Sequence, residues 1–109
     1  MPAFITDAEV EKALDWLRDN AVKLGNAKAR TVRAGHMLKH TEALEFRIAE
    51  GSIEFRKAYA RTTQRYLDAI EEDAIAAGEY EMMKALREAA ALKIEAWRSE
   101  QATFRAMKI

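Results

Sequence analysis

Two histidines spaced four residues apart are the chain's clearest candidate metal ligands. His36 and His40 would lie one helical turn apart, so both imidazoles could reach one metal ion. The general base of a His-Glu-x-x-His zinc site is missing, because position 37 is Met. A further ligand would have to come from Glu42 or from another subunit. The pattern therefore favours two exposed histidines on a basic helix, and we predict no metal site.

The carboxylates are numerous but lack the partners that a reaction needs. Asp68, Glu71, Glu72 and Asp73 form an acidic run with no nucleophile and no glycine-rich turn beside it. The four glycines stand alone, so no loop can cradle a phosphate, and the chain has no cysteine. We predict no catalytic residue, no cofactor and no enzymatic activity.

Residues 55–66, Phe-Arg-Lys-Ala-Tyr-Ala-Arg-Thr-Thr-Gln-Arg-Tyr, alternate aromatic rings with positive charge. Sites for single-stranded nucleic acid combine these residue types, since rings stack on bases and cations contact phosphates. On one continuous helix, however, Lys57, Arg61 and Arg65 would share a face, with the aromatic residues opposite. Two interpretations stay open: a phosphate-contacting surface, or core aromatics with a solvated basic face.

The net charge of zero hides a strongly uneven distribution. Residues 23–66 contain ten cations and four carboxylates, a net charge of +6, and residues 67–88 contain two cations and seven carboxylates, a net charge of −5. Such a basic block attracts polyanions, or it pairs with the acidic stretch of another subunit. On the first interpretation, the predicted nucleic-acid-binding residues are Lys28, Arg30, Arg33, Lys57, Arg61 and Arg65.

The composition predicts an all-α protein of three to four helices. Proline occurs once, at position 2, and Ala, Glu, Lys, Arg and Leu are abundant. Thr6 and Glu9 have the spacing of a capping box, so the first helix should begin at Asp7. Gly25-Asn26 offers a terminator and a new cap, and the apolar pattern changes phase there. We predict helices at about 7–24 and 27–49.

The second half of the chain is predicted to contain a short helix and a long one. Ser52 is a suitable N-cap for a helix at about 53–61, and Thr62-Thr63 can cap a helix at about 63–106. Glycine inside a helix costs about 1 kcal/mol relative to alanine, so packing could carry the long helix through Gly78. The alternative is a helical hairpin that turns at Ala77-Gly78. Residues 1–109 are predicted to form a single domain.

The long C-terminal helix predicts self-association. At 1.5 Å per residue it would extend about 65 Å, too far for the preceding helices to cover its apolar stripe. Trp97 lies on this stripe, and anchoring an interface is a commoner role for it than stacking on a base. We therefore predict a coiled-coil-like homo-oligomer with the interface residues Met83, Leu86, Ala90, Ile94, Trp97 and Phe104.

The sequence lacks signals for export and for membrane insertion. Its N-terminus has no basic start followed by an apolar run, and no stretch of about 18 apolar residues occurs. We predict a soluble, cytoplasmic protein with no membrane contact.

Four short blocks characterise the C-terminal third: Glu79-Tyr80, Leu86-Arg-Glu-Ala-Ala, Ile-Glu-Ala-Trp-Arg-Ser at 94–99 and Arg105-Ala-Met-Lys-Ile. Through these blocks, of which the one at 94–99 is the most specific, this third resembles a family of short, uncharacterised phage and prophage proteins. Glu54-Phe-Arg-Lys-Ala-Tyr-Ala is similar too, although Arg61-Thr62-Thr63 stands where the family has a Ser-Pro-like break. The resemblance implies a phage-infected or lysogenic bacterial host and genes for recombination or replication nearby. It implies no binding residue.

Two functional hypotheses follow. The first is a non-enzymatic accessory protein of phage recombination or replication, which binds single-stranded DNA, a recombination or replication protein, or both. The second is a helical adaptor or host-factor inhibitor that binds only protein. Steep salt dependence of DNA binding would distinguish the two, because phosphate contacts release counterions.

Overall fold

A computed structural model describes residues 4–108, in which three α-helices and no strand occur. Helix α1 comprises Asp7–Ile48, α2 comprises Ile53–Ala60, and α3 comprises Gln64–Met107. The all-α prediction is confirmed, including the long C-terminal helix. Within the described range no helix has a stretch that is both long enough and apolar enough to cross a bilayer.

Three of the four predicted helix starts, those near residues 7, 53 and 63, are present in the structure. The backbone N–H of Thr6 donates to Glu9 Oε2 at 2.8 Å, and the N–H of Glu9 donates to Thr6 Oγ1 at 3.1 Å. This reciprocal pair is the predicted capping box, and it satisfies two N–H groups at the start of α1. Ser52 caps α2 by accepting from the N–H of Phe55 at 3.1 Å. Thr63 Oγ1 accepts from the N–H of Tyr66 at 3.2 Å, at the start of α3.

Helix α1 passes through Gly25-Asn26 without a break, so the predicted division into helices at 7–24 and 27–49 is wrong. Holding Gly25 in a helical conformation costs conformational entropy and creates no strain. The φ of Gly25 is not positive, and a Cβ at this position would meet nothing within 4 Å. Leu24 and Ala27 continue the spacing of half-buried residues that precedes them, so packing offsets that cost. Likewise α3 is continuous through Gly78, and the hairpin alternative is wrong.

The chain divides into two compact units, which we describe in turn. Unit 1 combines Met1–Leu24 with Met82–Ile109, and unit 2 is Gly25–Glu81. In unit 1 the start of α1 lies beside the end of α3, so the two segments run antiparallel. The rings of Phe4 and Phe104 meet edge to face at 5.2 Å, and Trp97 Nε1 donates to Asp7 Oδ1 at 3.0 Å.

Unit 2 contains the second half of α1, all of α2 and the start of α3. The α1 and α3 segments again run antiparallel, since Arg30 contacts Glu72 while Glu45 contacts Arg65. One set of buried and half-buried residues on α1 alternates spacings of three and four, which is the heptad pattern of a coiled coil. They are Ala27, Thr31, Ala34, Leu38, Thr41 and Glu45.

Small residues form the buried part of both units. Among the described residues no large side chain is fully buried. The buried apolar residues are Val10, Ala13, Ala34, Ala60 and Ala76. Alanine lets helices approach closely but removes little apolar area from water, so hydrophobic stabilisation within either unit is small.

Candidate functional site

The predicted nucleic-acid-binding residues all lie in unit 2, where half of them have carboxylate partners. Arg30 donates to Glu72 Oε1 from Nε at 3.0 Å and from Nη2 at 2.7 Å, and its Nη1 also pairs with Glu79. These charge-assisted hydrogen bonds, those with Glu72 above all, raise the pKa of the Arg30 guanidinium. All three guanidinium nitrogens that a phosphate would use are thus already engaged within the chain.

Arg61 and Arg65 are engaged in the same way. Arg61 Nε donates to Glu42 Oε1 at 3.0 Å, and this hydrogen bond raises the pKa of Arg61. Arg65 Nε lies 3.5 Å from Glu45 Oε1. The Glu45 side chain is only 4% exposed, and its Oε1 has no hydrogen-bond partner. Arg65 therefore faces a carboxylate that has left water without full compensation.

The remaining three cations differ from one another. Lys28 Nζ lies 4.9 Å from the centroid of the Tyr80 ring, a cation–π contact. Arg33 and Lys57 are exposed and have no ion pair among the described residues. Only these two of the six predicted residues present a guanidinium or ammonium group with no partner in the described part of the chain.

The net charge of unit 2 is close to zero because the acidic stretch folds against the basic block. Residues 25–81 contain nine cations and ten carboxylates, a net charge of −1. The acidic stretch supplies Glu72 and Glu79 to Arg30, so the two oppositely charged blocks meet within the chain. The sequence analysis assigned that pairing only to another subunit. It missed this arrangement because charge counts along the chain do not show which segments fold together.

Two aromatic residues of α2 are exposed to solvent, although one interpretation of the sequence placed them in the core. The Phe55 and Tyr59 side chains are 57% and 44% exposed, and their rings stack with centroids 6.2 Å apart. Together with Ile48 they line a shallow concavity of about 190 Å³. We call Ile48, Phe55 and Tyr59 the aromatic patch. The interpretation of Phe55 and Tyr59 as core aromatics is wrong, because α2 ends at Ala60 and the segment is not one helix.

A second groove in unit 2 lies between α1 and α2. It has a volume of about 290 Å³ and an alanine and phenylalanine wall, with one lysine contributed by each helix. The lining residues are Lys39, Glu42, Ala43, Phe46, Lys57 and Ala60. Arg56 covers the Phe46 ring at 4.3 Å and donates to the Phe46 carbonyl at 3.2 Å. This groove is mildly basic and largely apolar, which suits a peptide better than a bare phosphate.

The stripe predicted as an oligomer interface lies in unit 1. Five of its members, Met83, Ala90, Ile94, Trp97 and Phe104, are half-buried, and Leu86 is exposed. The start of α1 lies beside this stripe, as the Trp97 hydrogen bond to Asp7 shows. The premise that only short helices precede α3 is wrong, because α1 is one helix of 42 residues. The oligomer interface through this stripe stays a prediction.

A different face of α3 in unit 1 carries no charge and is exposed. Its residues alternate spacings of three and four, and we call this set the outer seam. The outer seam consists of Met82, Ala85, Ala89, Leu92, Ala96 and Ser99. The outer seam was not predicted, because only one apolar stripe was assigned to each helix. The signal in the sequence is the same alternation of three and four residues, counted from a neighbouring starting residue.

The two histidines remain exposed side chains on α1. His36 and His40 are both exposed, and residues 4–108 contain no group of three His, Cys, Asp or Glu side chains able to hold a metal ion.

Comparison with family models, curated proteins and solved structures finds no match to this chain. The resemblance of the C-terminal third to phage proteins therefore stays a prediction.

Proposed function

We propose that this chain is a helical adaptor that binds other proteins and uses the aromatic patch of unit 2 as its contact surface. The observation that carries the proposal is the folding of the basic block against the acidic stretch, which leaves unit 2 with a net charge of −1. A polyanion would meet no net positive field there, and its phosphates would have to displace Glu72, Glu79 and Glu42.

The aromatic patch supplies what protein contact requires. Exposed tyrosine and phenylalanine side chains are enriched at interfaces, because each ring removes a large area from water at a small entropic cost. Phe55 and Tyr59 are held on a capped helix, and Ile48 extends the apolar surface beside them. Ala49 and Glu50 complete the lining, so a partner side chain in this concavity would meet a carboxylate beside the two rings.

Site-specific photocrosslinking tests the adaptor function directly. A photoreactive residue at position 59 should give a discrete adduct with a partner in cells that express the chain. The same residue at position 71, an exposed site on α3 outside the patch, is the matched control and should give none. Equal adducts at both positions, or none at position 59, would argue against the proposal.

Single-stranded DNA binding is the second candidate. It is favoured by the free cations Arg33 and Lys57 and by the exposed ring pair of Phe55 and Tyr59, since bases stack on such rings. Fluorescence anisotropy of a labelled single strand at about 50 mM salt separates the two functions. The adaptor function predicts no binding, whereas affinity that falls steeply with salt would establish the second candidate.

The double variant R61A/R65A sharpens the same test. If these residues contact phosphates, the variant should keep its thermal stability and lose roughly two units of the salt slope. The ion pairs with Glu42 and Glu45 predict the opposite result, a lower midpoint of thermal unfolding.

A further inference from the structure

Unit 1 has a groove of about 410 Å³ between α1 and α3, which we call the unit 1 groove. Most of its lining is apolar, and Trp16 and Leu86 are the largest apolar side chains there. Lys12 lies on the α1 side and Lys93 on the α3 side. The groove therefore has an apolar surface with an ammonium group on each of its two walls. We call the groove between α1 and α2 the unit 2 groove.

The α1 wall has the same residue pattern in both grooves. Each wall consists of one lysine, one glutamate, an alanine and an aromatic residue at spacings of three, one and three. The set in the unit 1 groove is Glu9, Lys12, Ala13 and Trp16. The set in the unit 2 groove is Lys39, Glu42, Ala43 and Phe46. Residues at these spacings share one face of a helix, so α1 forms two walls of equivalent chemistry.

In both grooves the glutamate is already engaged and the lysines are not. Glu9 Oε2 accepts a hydrogen bond in the capping box at 2.8 Å, and Glu42 Oε1 accepts from Arg61 at 3.0 Å. The wall opposite α1 adds a second lysine, Lys93 in unit 1 and Lys57 in unit 2. All four lysines are exposed, and none has an ion pair in the described part of the chain.

The composition of the two grooves determines what a partner must provide. A large apolar side chain placed against the alanine and the aromatic ring would remove apolar surface from water. It would also remove water from the two ammonium groups, which is unfavourable unless anions of the partner pair with them. The volumes, about 290 and 410 Å³, are small for ligand pockets, which are roughly 300–1,000 Å³. Each groove thus suits one or two apolar side chains flanked by carboxylates.

Nucleic acid fits these grooves less well than such a peptide. Its phosphates could pair with the lysines, and a base could stack on Trp16 or Phe46. The polar edge of that base would then lie against the methyl groups of Ala13 or Ala43, which offer it no hydrogen bond. Aspartate and glutamate provide the anions, and leucine-like side chains have no polar edge to satisfy.

We propose that each unit binds an acidic peptide segment in its groove, so that one chain holds two such segments. A large apolar side chain of the segment packs against Trp16 or Phe46, and carboxylates on either side of it pair with the two lysines. The grooves share no residue with the aromatic patch. The proposal therefore goes beyond the contact made by the patch, and it holds whether or not the patch binds a partner protein.

Isothermal titration calorimetry of the full chain with a synthetic peptide tests the proposal. The probe is about 15 residues long, with leucines at spacings of three and four and glutamates beside them, so that it can form an amphipathic helix. The wild-type chain should bind two peptides, and the affinity should fall as salt screens the ion pairs. A peptide with lysines in place of the glutamates is the matched control and should not bind.

Charge reversal separates the two grooves. K12E/K93E should weaken binding to the unit 1 groove at least about a hundredfold and leave one site, because like charges would then face the peptide. K39E/K57E should do the same to the unit 2 groove. Each variant is the control for the other, since a chain that keeps one site is folded. Tyr59→Ala, which changes only the aromatic patch, should keep both sites.

Four results would overturn the proposal. The first is the absence of peptide binding, and the second is a stoichiometry of one for the wild-type chain. The third is a stoichiometry of two that neither double variant changes. The fourth is that single-stranded DNA, or a second copy of the chain, binds the wild type and is lost in both double variants, because the grooves would then hold that partner.

Discussion

Arg30 Nη2 lies 2.7 Å from Glu72 Oε1, although 42 residues separate the two along the chain. The same guanidinium reaches Glu79, which lies two turns further along α3. These contacts join the most basic and the most acidic stretches of the sequence. The basic block and the acidic stretch, which the sequence suggests as separate binding surfaces, therefore form one ion-paired structure.

A charge exchange across this pair tests whether it stabilises unit 2. Arg30→Glu should lower the midpoint of thermal unfolding, because it places three carboxylates together. The double variant R30E/E72R should recover part of the loss, since one attractive pair is restored. Arg33→Glu is the control at an exposed cation without an ion pair, and its midpoint should hardly change. Equal losses for the Arg30 and Arg33 variants would show that the contact is not specific.

The Arg30 pair should also be insensitive to alkaline titration over the ordinary pH range. Its hydrogen bond with Glu72 raises the pKa of the Arg30 guanidinium above its ordinary value. A raised pKa contributes stability that is present below the unfolded-state pKa and lost only as pH rises through the folded-state pKa. The difference in midpoint between wild type and Arg30→Ala should therefore be constant from neutral pH to about pH 10. A difference that disappears within that window would contradict this assignment.

Removing Arg65 should be more damaging than removing an arginine from a surface pair. Arg65→Ala leaves the buried Glu45 carboxylate without a counter-charge, and we expect a loss of about 1–3 kcal/mol in the free energy of unfolding. Arg98→Ala breaks an exposed pair with Glu95 and should cost less than about 1 kcal/mol. Chemical denaturation measures both values. The double variant E45L/R65A should recover the stability, since an apolar pair can replace a buried ionic one.

Two of the glycines should be replaceable with a gain in stability. Gly25→Ala and Gly78→Ala each lie inside a helix, and the added Cβ would meet nothing within 4 Å. We expect each to raise the free energy of unfolding by about 0.5–1 kcal/mol. Gly51→Ala is the contrasting control. Its φ is +123° and an added Cβ would lie 3.0 Å from Phe55 Cδ1, so it should destabilise the protein. Loss of stability in the first two variants would contradict the continuous helices.

The helix starts could be predicted from sequence because caps are local. Thr6, Ser52 and Thr63 each accept a hydrogen bond from an N–H group three residues away, so the spacing can be read directly from the sequence. The false break at Gly25 has the opposite origin. Glycine signals a helix end only when packing does not favour continuation, and packing depends on residues distant in the chain.

Polar residues inside the coiled coil explain why the α1 pattern was misread. Asn20, Thr31 and Glu45 occupy half-buried or buried positions of the heptad, so a search for apolar residues finds gaps there. Met37 and Leu44 are sequence neighbours of the heptad positions, and their apolar side chains suggest a change of phase. The helix itself has no such change. Three of the six predicted cations, Arg30, Arg61 and Arg65, pair with carboxylates 19 or more residues away in the sequence, so charge counts along the chain could not show which cations stay unpaired.

Glu45 bears on how the two helices of unit 2 keep their alignment. Alanine-rich helices present nearly the same small side chain at every turn, so sliding one past the other by seven residues would change the apolar contacts little. Glu45 places a carboxylate at one such position, and its ion-pair partner on α3 is Arg65. The alternative alignments of the two helices therefore differ in free energy. A shift of seven residues would move Arg65 about 10 Å from Glu45 and leave the buried charge without its ion-pair partner. The buried Glu45 carboxylate thus destabilises the fold in itself. It nevertheless selects one alignment of the two helices among several with similar packing.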